Sequence, residues 1–236
     1  MTVAEIMTEL EAMGSDGIKK ILLKHGVKEP FFGVKVEQLK TIQKKIKKDY
    51  QLAKDLYATG NADAMYLAGL IADDEQMTTA ELNIWAEQAE SSNISEYTVP
   101  WVTAGNSKGF ELALQWIDDE REHVAAAGWS ALSNIVSLWP DHVLDMEVLK
   151  KLLKRVTAEI HTSKNRVRAT MNVFIISVGT YVHDLYDLAI ATANQIGVIT
   201  VIKEGTACKT PDAVEYINKA KARAKGLVAK KKMVKC

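Results

Sequence analysis

The chain has 236 residues, 47% of them hydrophobic and 25% charged, with 13 glycines, 4 prolines and a formal net charge of zero. This length supports one sizeable buried core without disulfides or a structural metal, and so few glycines and prolines argue against a loop-rich or all-β chain. A zero net charge, taken alone, argues against a nucleic-acid partner.

The N-terminal region predicts three helices. Thr2 and Glu5 have the spacing of a capping box, so a helix begins there and ends near Gly14. An apolar stripe over residues 16–25 predicts a second helix, and Gly26 suits the left-handed residue that follows a helix end. After an aromatic loop, residues 36–48 predict a third helix with lysines on its outer face.

Amphipathic segments of about 10 to 18 residues with short joints fill most of the remaining chain. Such a series predicts helical hairpins stacked side by side, as in HEAT-type repeats. Because no self-similar repeat stands out, a closed helical bundle is the alternative. We predict an all-α fold, a HEAT-like helical repeat solenoid in one domain over residues 1–226. The predicted segments are 49–58, 62–72, 79–91, 94–104, 107–117, 120–137, 142–161, 164–180, 183–195 and 212–225.

Two stretches late in the chain depart from the helical pattern. Residues 196–202 are rich in β-branched side chains, which favours a short strand or a β-hairpin over about 196–206. Residues 227–236 carry four lysines, and we expect them to form a flexible basic tail.

The zero net charge conceals a separation of charge along the chain. Residues 1–50 carry ten basic and seven acidic side chains, residues 51–148 carry three and 17, and residues 149–236 carry 17 and six. In a solenoid the two basic ends can join in one electropositive face. They can equally be two ordinary solvated charge runs, and charge alone does not separate the two interpretations.

Standard catalytic signatures are missing from the sequence. It has no glycine-rich phosphate loop, no His-Glu-x-x-His and no Gly-x-Ser-x-Gly motif, and its five histidines lack the spacing of metal ligands. We therefore predict neither a cofactor nor a metal site. Two cysteines, Cys208 and Cys236, are too few for a secreted disulfide framework, and we expect free thiols.

The sequence also bears on the compartment. No signal-peptide pattern opens the chain, and the longest apolar runs fall far short of a membrane span. We expect a cytoplasmic protein with no membrane partner, and a monomer.

The tryptophans divide into two groups. Trp85 and Trp116 lie on apolar helical stripes and are predicted to be core residues. Trp101 follows a proline at a possible bend, and Trp129 stands among small residues that let another helix or a ligand approach. Trp101 and Trp129 are therefore candidates for the wall of a groove, where an aromatic ring can stack on a base.

The strongest basic cluster on one predicted helix is formed by Lys164, Arg166 and Arg168. Such a cluster is typical of phosphate binding, and it is equally typical of a solvated helix face. Lys203 and Lys209 flank the end of the β-prone stretch and add to the positive charge of this half of the chain.

The order of these features resembles the AlkD-type DNA alkylation repair proteins, which are HEAT-like helical solenoids that wrap duplex DNA. The resemblance extends over about residues 26–180 and includes a second, C-terminal stretch. The residues that carry it are the loop at 32–34, Leu39 and the pair Lys44 and Lys45 after it, 52–53, 56–60 and 66–71, then 205–213 and the closing lysine-rich run.

The resemblance implies base-excision chemistry on alkylated purines. In our register the family's catalytic Asp, and a Trp four residues before it, fall on Tyr97 and Asn93. Tyr97 supplies no carboxylate charge, whereas Glu96 lies one position away and would restore one after a single-residue slip. A family Arg and a second Trp are replaced by Ala127 and Val173. Together these changes imply a groove retained without the glycosylase chemistry.

Three hypotheses follow. The first is a repair-associated protein that recognises duplex or branched DNA through backbone contacts from the basic cluster, Lys44, Lys45 and the C-terminal lysines. The second is a glycosylase that excises alkylated purines using Glu96 or a water held by Tyr97. The third is a HEAT-like protein-interaction scaffold whose working surface is the acidic middle of the chain.

Overall fold

The structure is a computed structural model that describes residues 1–202 and 210–235. Over these residues the chain forms thirteen α-helices and no strand, which confirms the all-α prediction. A π-helical turn, Ile94–Thr98, leads directly into the seventh helix. The α-helices are α1 Val3–Met13, α2 Asp16–Lys24, α3 Val36–Ile46, α4 Tyr50–Tyr57, α5 Ala62–Ile71, α6 Thr79–Gln88, α7 Val99–Ala104, α8 Gly109–Trp116, α9 Glu122–Leu138, α10 Met146–Glu159, α11 Asn165–Tyr181, α12 Tyr186–Ile196 and α13 Ala213–Ala224.

Several helix boundaries follow from the capping that the sequence predicts. At the start of α1, Glu5 N–H donates to Thr2 Oγ1 at 3.3 Å and Thr2 N–H donates to Glu5 Oε2 at 2.8 Å. The same reciprocal pair joins Thr78 and Glu81 at the start of α6. Gly26, just beyond α2, has a φ of +81°, a left-handed conformation that glycine adopts without steric cost. These features satisfy backbone groups that a helix end leaves without partners.

The helices pack as a stack of pairs. α3, α5, residues 94–104, α9 and α11 lie side by side in that order, and each contacts the next. We call these five segments the inner row. α4, α8 and α12 pack against α5, α9 and α11 respectively. Local helical pairs stacked in chain order are the arrangement predicted for a helical repeat solenoid.

The buried apolar side chains form two clusters that meet at α9. Ala127 of α9 belongs to the cluster of the N-terminal half, and Trp129 belongs to that of the C-terminal half. Between them, a Cβ on Gly128 would lie 2.8 Å from the backbone nitrogen of Ile117 and 2.9 Å from the carbonyl oxygen of Ala113. Glycine at this position therefore allows the close approach of α8 to α9.

The structure confirms two of the tryptophan predictions and overturns a third. Trp85 and Trp116 are buried, as predicted for core residues. Trp129 is 0% exposed and packs edge-to-face on Phe174, with ring centroids 5.3 Å apart. Its prediction as a groove wall is wrong, because the small residues around it admit neighbouring helices rather than a ligand. The guanidinium of Arg155 lies 5.9 Å from the ring centre and covers it further.

The β-prone stretch is not a strand over residues 197–202. Asn165 holds it instead, since its side-chain oxygen accepts from Ile202 N–H at 2.7 Å and its amide nitrogen donates to the Ile202 carbonyl at 2.9 Å. These contacts satisfy the backbone without a partner strand. The remainder of the predicted hairpin, residues 203–206, lies outside the described residues.

Residues 227–235, predicted as a flexible tail, pack along the array, and we call them the strap. The Val228 carbonyl lies 3.0 Å from His183 Nε2, just beyond α11. Lys230 then reaches the end of α9, where its Nζ donates to the Val136 carbonyl at 2.8 Å and lies 2.6 Å from Asp141 Oδ1. The strap therefore crosses the carboxyl ends of α11 and α9 in turn.

The strap ends at the carboxyl end of α5. Lys235 Nζ donates to Asp74 Oδ1 at 2.6 Å and to the Ala72 carbonyl at 3.1 Å. Val234, partly buried, packs against both apolar clusters. The expectation of a free tail is thus wrong, because Lys230 and Lys235 donate to helix-end carbonyls and form ion pairs with Asp141 and Asp74, which lie far away in the sequence.

Candidate functional site

A cleft of about 850 Å³ opens where α2 and α3 face the start of α11. The amino-terminal ends of α3, α5, the π-helical turn and α11 line it, which brings Asp63, Asn93, Glu96 and Arg166 to one place. Most of the other lining residues are apolar or aromatic. The lining comprises residues 22–27, Val34, Val36, Leu39, Asp63, Tyr66, 92–93, 96–97, 165–166, Ala169 and 201–202.

The floor of the cleft is fixed by Asp63 at the start of α5. Its carboxylate accepts hydrogen bonds from the backbone N–H groups of Phe32, Gly33 and Val34 at 2.7, 2.9 and 3.3 Å. Burial raises the pKa of Asp63, while the three donors oppose that rise. The aromatic loop thus wraps a buried carboxylate, and this explains the loop motif on which the family resemblance partly rests.

Arg166, which we predicted to contact DNA or to lie on a solvated helix face, is held by contacts within the protein. Its Nε donates to Glu96 Oε1 at 2.9 Å, its Nη1 donates to the Glu90 carbonyl at 3.0 Å, and its Nη2 donates to Ser95 Oγ. The side chains of Arg166 and Glu96 are 22% and 23% exposed, so water screens the pair only in part. The guanidinium therefore neutralises the carboxylate that was the candidate for catalysis.

The other two members of the basic cluster are also engaged internally. Arg168 donates to the carbonyls of Ile160, Ser163 and Thr200 at 3.2, 3.0 and 2.8 Å. It thereby joins the end of α10 to the segment that follows α12. Lys164, which is exposed, donates from Nζ to the Glu120 carbonyl. Two of the three cations thus act as structural donors with limited exposure.

The aromatic residues of the cleft rest on Trp101. Trp101 is buried and contacts Tyr66 and Tyr97 edge-to-face, with centroid separations of 5.3 and 6.0 Å. Its prediction as an exposed groove wall is wrong, because α5 and the π-helical turn cover it. Tyr97 is 52% exposed and lines the cleft, so it presents the aromatic surface there.

The positions matched to the family's site fall in different environments. Asn93 lines the cleft, and its buried side-chain oxygen has no hydrogen-bond partner among the residues described. Val173 is exposed on α11, whereas Ala127 is fully buried within α9 and does not line the cleft. Glu96 and Tyr97 therefore lie in the cleft with Asn93, while Ala127 does not.

The remaining predicted site residues lie elsewhere. Lys44 and Lys45 are exposed on α3 outside the cleft lining, and Lys45 pairs with Glu9 at 2.7 Å. Lys203, Lys209, Cys208 and Cys236 lie outside the described residues. Sequence reasoning missed Asp63, although a carboxylate inside the apolar run 62–72 was a usable signal.

Two further observations concern residues 1–202 and 210–235. No group of three His, Cys, Asp or Glu side chains there could hold a metal ion. No single helix in those ranges is long and apolar enough to cross a membrane. α11 and residues 183–196 would be long and apolar enough only if they were taken together, and they are bent by 117° relative to each other.

The comparisons with known proteins agree with this architecture. Residues 6–217 match the family model described as DNA alkylation repair enzyme. A solved structure superposes with a TM-score of 0.91 and 33% identity over 100% of both chains; it represents a new family of proteins related to the HEAT-like repeat DNA glycosylases with affinity for branched DNA structures. The HEAT-like solenoid and the resemblance to the AlkD type are thereby confirmed.

Two uncharacterised bacterial proteins are also similar over their full length. Lin0241 of Listeria innocua is 29% identical over 228 residues, which cover 94% of this chain and 99% of that protein. Lmo0209 of Listeria monocytogenes is 29% identical over 230 residues, covering 95% and 100%. The similarity therefore extends well beyond any single motif.

Proposed function

The chain belongs to the DNA alkylation repair enzyme family, and from that premise we propose that it binds branched DNA without excising bases. The observation that carries the proposal is the likeness, at a TM-score of 0.91 over both entire chains, to a protein with affinity for branched DNA structures. Two features of the cleft support the loss of base excision.

The first feature is the ion pair between Glu96 and Arg166. A carboxylate that is already neutralised by a guanidinium at 2.9 Å stabilises a developing positive charge on a sugar much less than a free one. The second feature is Tyr97, whose neutral phenol stands where our register places the family's catalytic Asp. Both residues line the cleft. Glu96 is paired with Arg166 and Tyr97 carries no carboxylate, so these two positions do not offer the charge that base excision needs.

The backbone contacts in this proposal come from cations that remain exposed. Lys24 lies at the rim of the cleft, and Lys44 is exposed on α3, whose residues Val36 and Leu39 line it. Phosphate contacts of this kind release counterions, so the affinity falls with salt in proportion to the number of contacts.

Electrophoretic mobility shift with a four-way junction and a linear duplex of the same sequence, at about 50 and 200 mM NaCl, tests the binding. We expect tighter binding to the junction, and affinity that falls steeply between the two salt concentrations. No binding at low salt, or equal affinity for the two DNAs, would overturn the proposal.

The glycosylase hypothesis keeps one favourable observation, since Glu96 does place a carboxyl group in the cleft. Single-turnover incubation with DNA containing N7- or N3-methylated purines separates the two functions. Our proposal expects no released base from the wild type. Release of free base that disappears in Glu96→Gln would establish the glycosylase instead.

A further inference from the structure

We infer that the cleft takes up one unpaired nucleobase at the branch point of the DNA, and that Tyr97 is the surface on which this base stacks. The inference rests on the proposed function and names the part of the DNA that enters the site. It follows from the shape, the charge and the unused hydrogen-bonding capacity of the cleft.

The cleft exposes apolar side chains, whereas most of a protein surface exposes polar ones. Leu23, Val36, Tyr97 and Ile202 are all exposed large hydrophobic side chains, and all four line the cleft. Apolar side chains gathered in one concavity mark a binding site, and about 850 Å³ falls in the range of roughly 300–1,000 Å³ that small-ligand sites occupy.

Three charged side chains of the cleft are neutralised within the protein. Arg166 and Glu96 pair with one another, and the Asp63 carboxylate is occupied by three backbone donors. An uncharged group can therefore enter beside them without displacing an ion pair. Lys24, at the rim, is placed to meet a phosphate that stays outside.

Two features of the cleft indicate which chemical groups the ligand has. Tyr97 offers an exposed aromatic ring whose orientation is fixed from behind by Trp101, so the ligand has a flat face. Asn93 also lines the cleft, and its side-chain oxygen has no partner among the described residues, so it can accept a hydrogen bond from an N–H donor of the ligand.

A flat, uncharged group with N–H donors that is attached to a phosphate chain is a nucleobase. Within a duplex, neighbouring bases cover the two faces of a nucleobase, and its pairing partner occupies its hydrogen-bonding edge. An unpaired nucleotide at a branch point leaves the faces and the edge accessible. The cleft should therefore favour branched DNA with an unpaired base over perfectly paired DNA.

The test uses two three-way junctions, one with a single unpaired 2-aminopurine nucleotide at the branch point and one in which every base is paired. Stacking on one aromatic side chain predicts about tenfold tighter binding of the first junction, with quenching of the 2-aminopurine fluorescence. Tyr97→Ala should abolish both the preference and the quenching. Tyr97→Phe should retain both.

Tyr216→Ala is the matched control, because Tyr216 is 48% exposed on α13 and does not line the cleft. Asn93→Leu, which removes the orphaned acceptor, should lower the preference for the unpaired nucleotide. If the wild type binds both junctions equally, or if Tyr97→Ala keeps the preference, the inference fails while the proposed function stands. If the wild type binds neither junction at low salt, both fail.

Discussion

The two ends of the inner row use basic side chains in different ways. At the amino end, Arg166 pairs with Glu96 and the surrounding cleft is apolar. At the carboxyl end, Lys230 and Lys235 of the strap donate to the last carbonyls of α9 and α5, which carry partial negative charge. Cations that the sequence suggests are available to a polyanion are therefore paired within the protein, with a carboxylate at one end and with helix termini and two aspartates at the other.

This difference shows that positive charge along a sequence overstates the positive charge that a partner can reach. A cation in an internal pair contributes to stability, and removing it should lower the free energy of unfolding. An exposed cation contributes to salt-dependent binding and should barely affect folding. Variants at the two ends separate these roles.

Removal of the strap should have the largest effect. Ending the chain after Gly226 is expected to lower the free energy of unfolding by about 3 kcal/mol, because Val234 leaves both apolar clusters and two helix ends lose their lysine donors. Urea unfolding followed by circular dichroism measures this loss. Unchanged stability together with lost junction affinity would show that these lysines bind DNA instead.

Lys235→Met should cost about 2 kcal/mol, since it leaves the Asp74 carboxylate buried without its cation. Lys232→Met, an exposed strap lysine, is the control and should have no effect. Adding Asp74→Asn to Lys235→Met should restore more than half of the loss. If the double variant is no more stable than the single one, the pair is not coupled.

The same variant should be sensitive to pH. Burial raises the pKa of Asp74 above the ordinary 3.8, so the folded state binds its proton more tightly than the unfolded state. Protonation removes the unpaired charge, and the penalty of Lys235→Met should fade as the pH falls through the raised pKa of Asp74 towards 3.8. A penalty that is constant from pH 7 to pH 4 in urea unfolding would contradict this.

Arg166→Met should destabilise the protein by about 1.5 kcal/mol, less than Lys235→Met because the pair with Glu96 is more exposed. Arg166→Met combined with Glu96→Gln should recover part of the loss in a double-mutant cycle. Once corrected for the folded fraction, junction affinity should keep its salt dependence. A salt slope reduced by about one, at unchanged stability, would identify Arg166 as a phosphate contact.

Lys24→Ala should have the smallest effect on folding, within about 0.5 kcal/mol, because Lys24 is exposed at the rim of the cleft. It should reduce the slope of log affinity against log salt by about one. Lys219→Ala, which removes an exposed lysine on α13, is the matched control and should leave the slope unchanged. Equal slopes for wild type and Lys24→Ala would remove Lys24 from the interface.

The helices could be predicted from the sequence because their signals are local. The pairs Thr2–Glu5 and Thr78–Glu81 fix two helix starts within four residues of chain, and apolar periodicity gives the rest. The π-helical turn at Ile94–Thr98 escaped prediction, because the same residues also fit an ordinary helix.

The cleft could be predicted only in part. Alignment with the family's catalytic site identified Glu96 and Tyr97 as candidates. The residue that neutralises Glu96 is Arg166, which lies 70 residues away in the sequence and could not be paired with it from the sequence. The strap could not be foreseen, because Lys230 donates to a backbone carbonyl 94 residues away, and a carbonyl has no signature in a sequence. Main-chain carbonyls thus hold Lys164, Arg168 and Lys230, three of the cations that were predicted to bind DNA.

The position of the strap in the chain also bears on the order in which contacts can form during synthesis. Its residues are synthesised after every segment that they contact, so α5 and α9 emerge and pair with their neighbours while their last carbonyls still lack the lysine donors. During synthesis the two halves of the core can therefore meet at α9 before the strap, a segment from the opposite end of the array, adds its contacts. Substitutions in the last ten residues should accordingly expose the N-terminal half to proteases, far from the site of change.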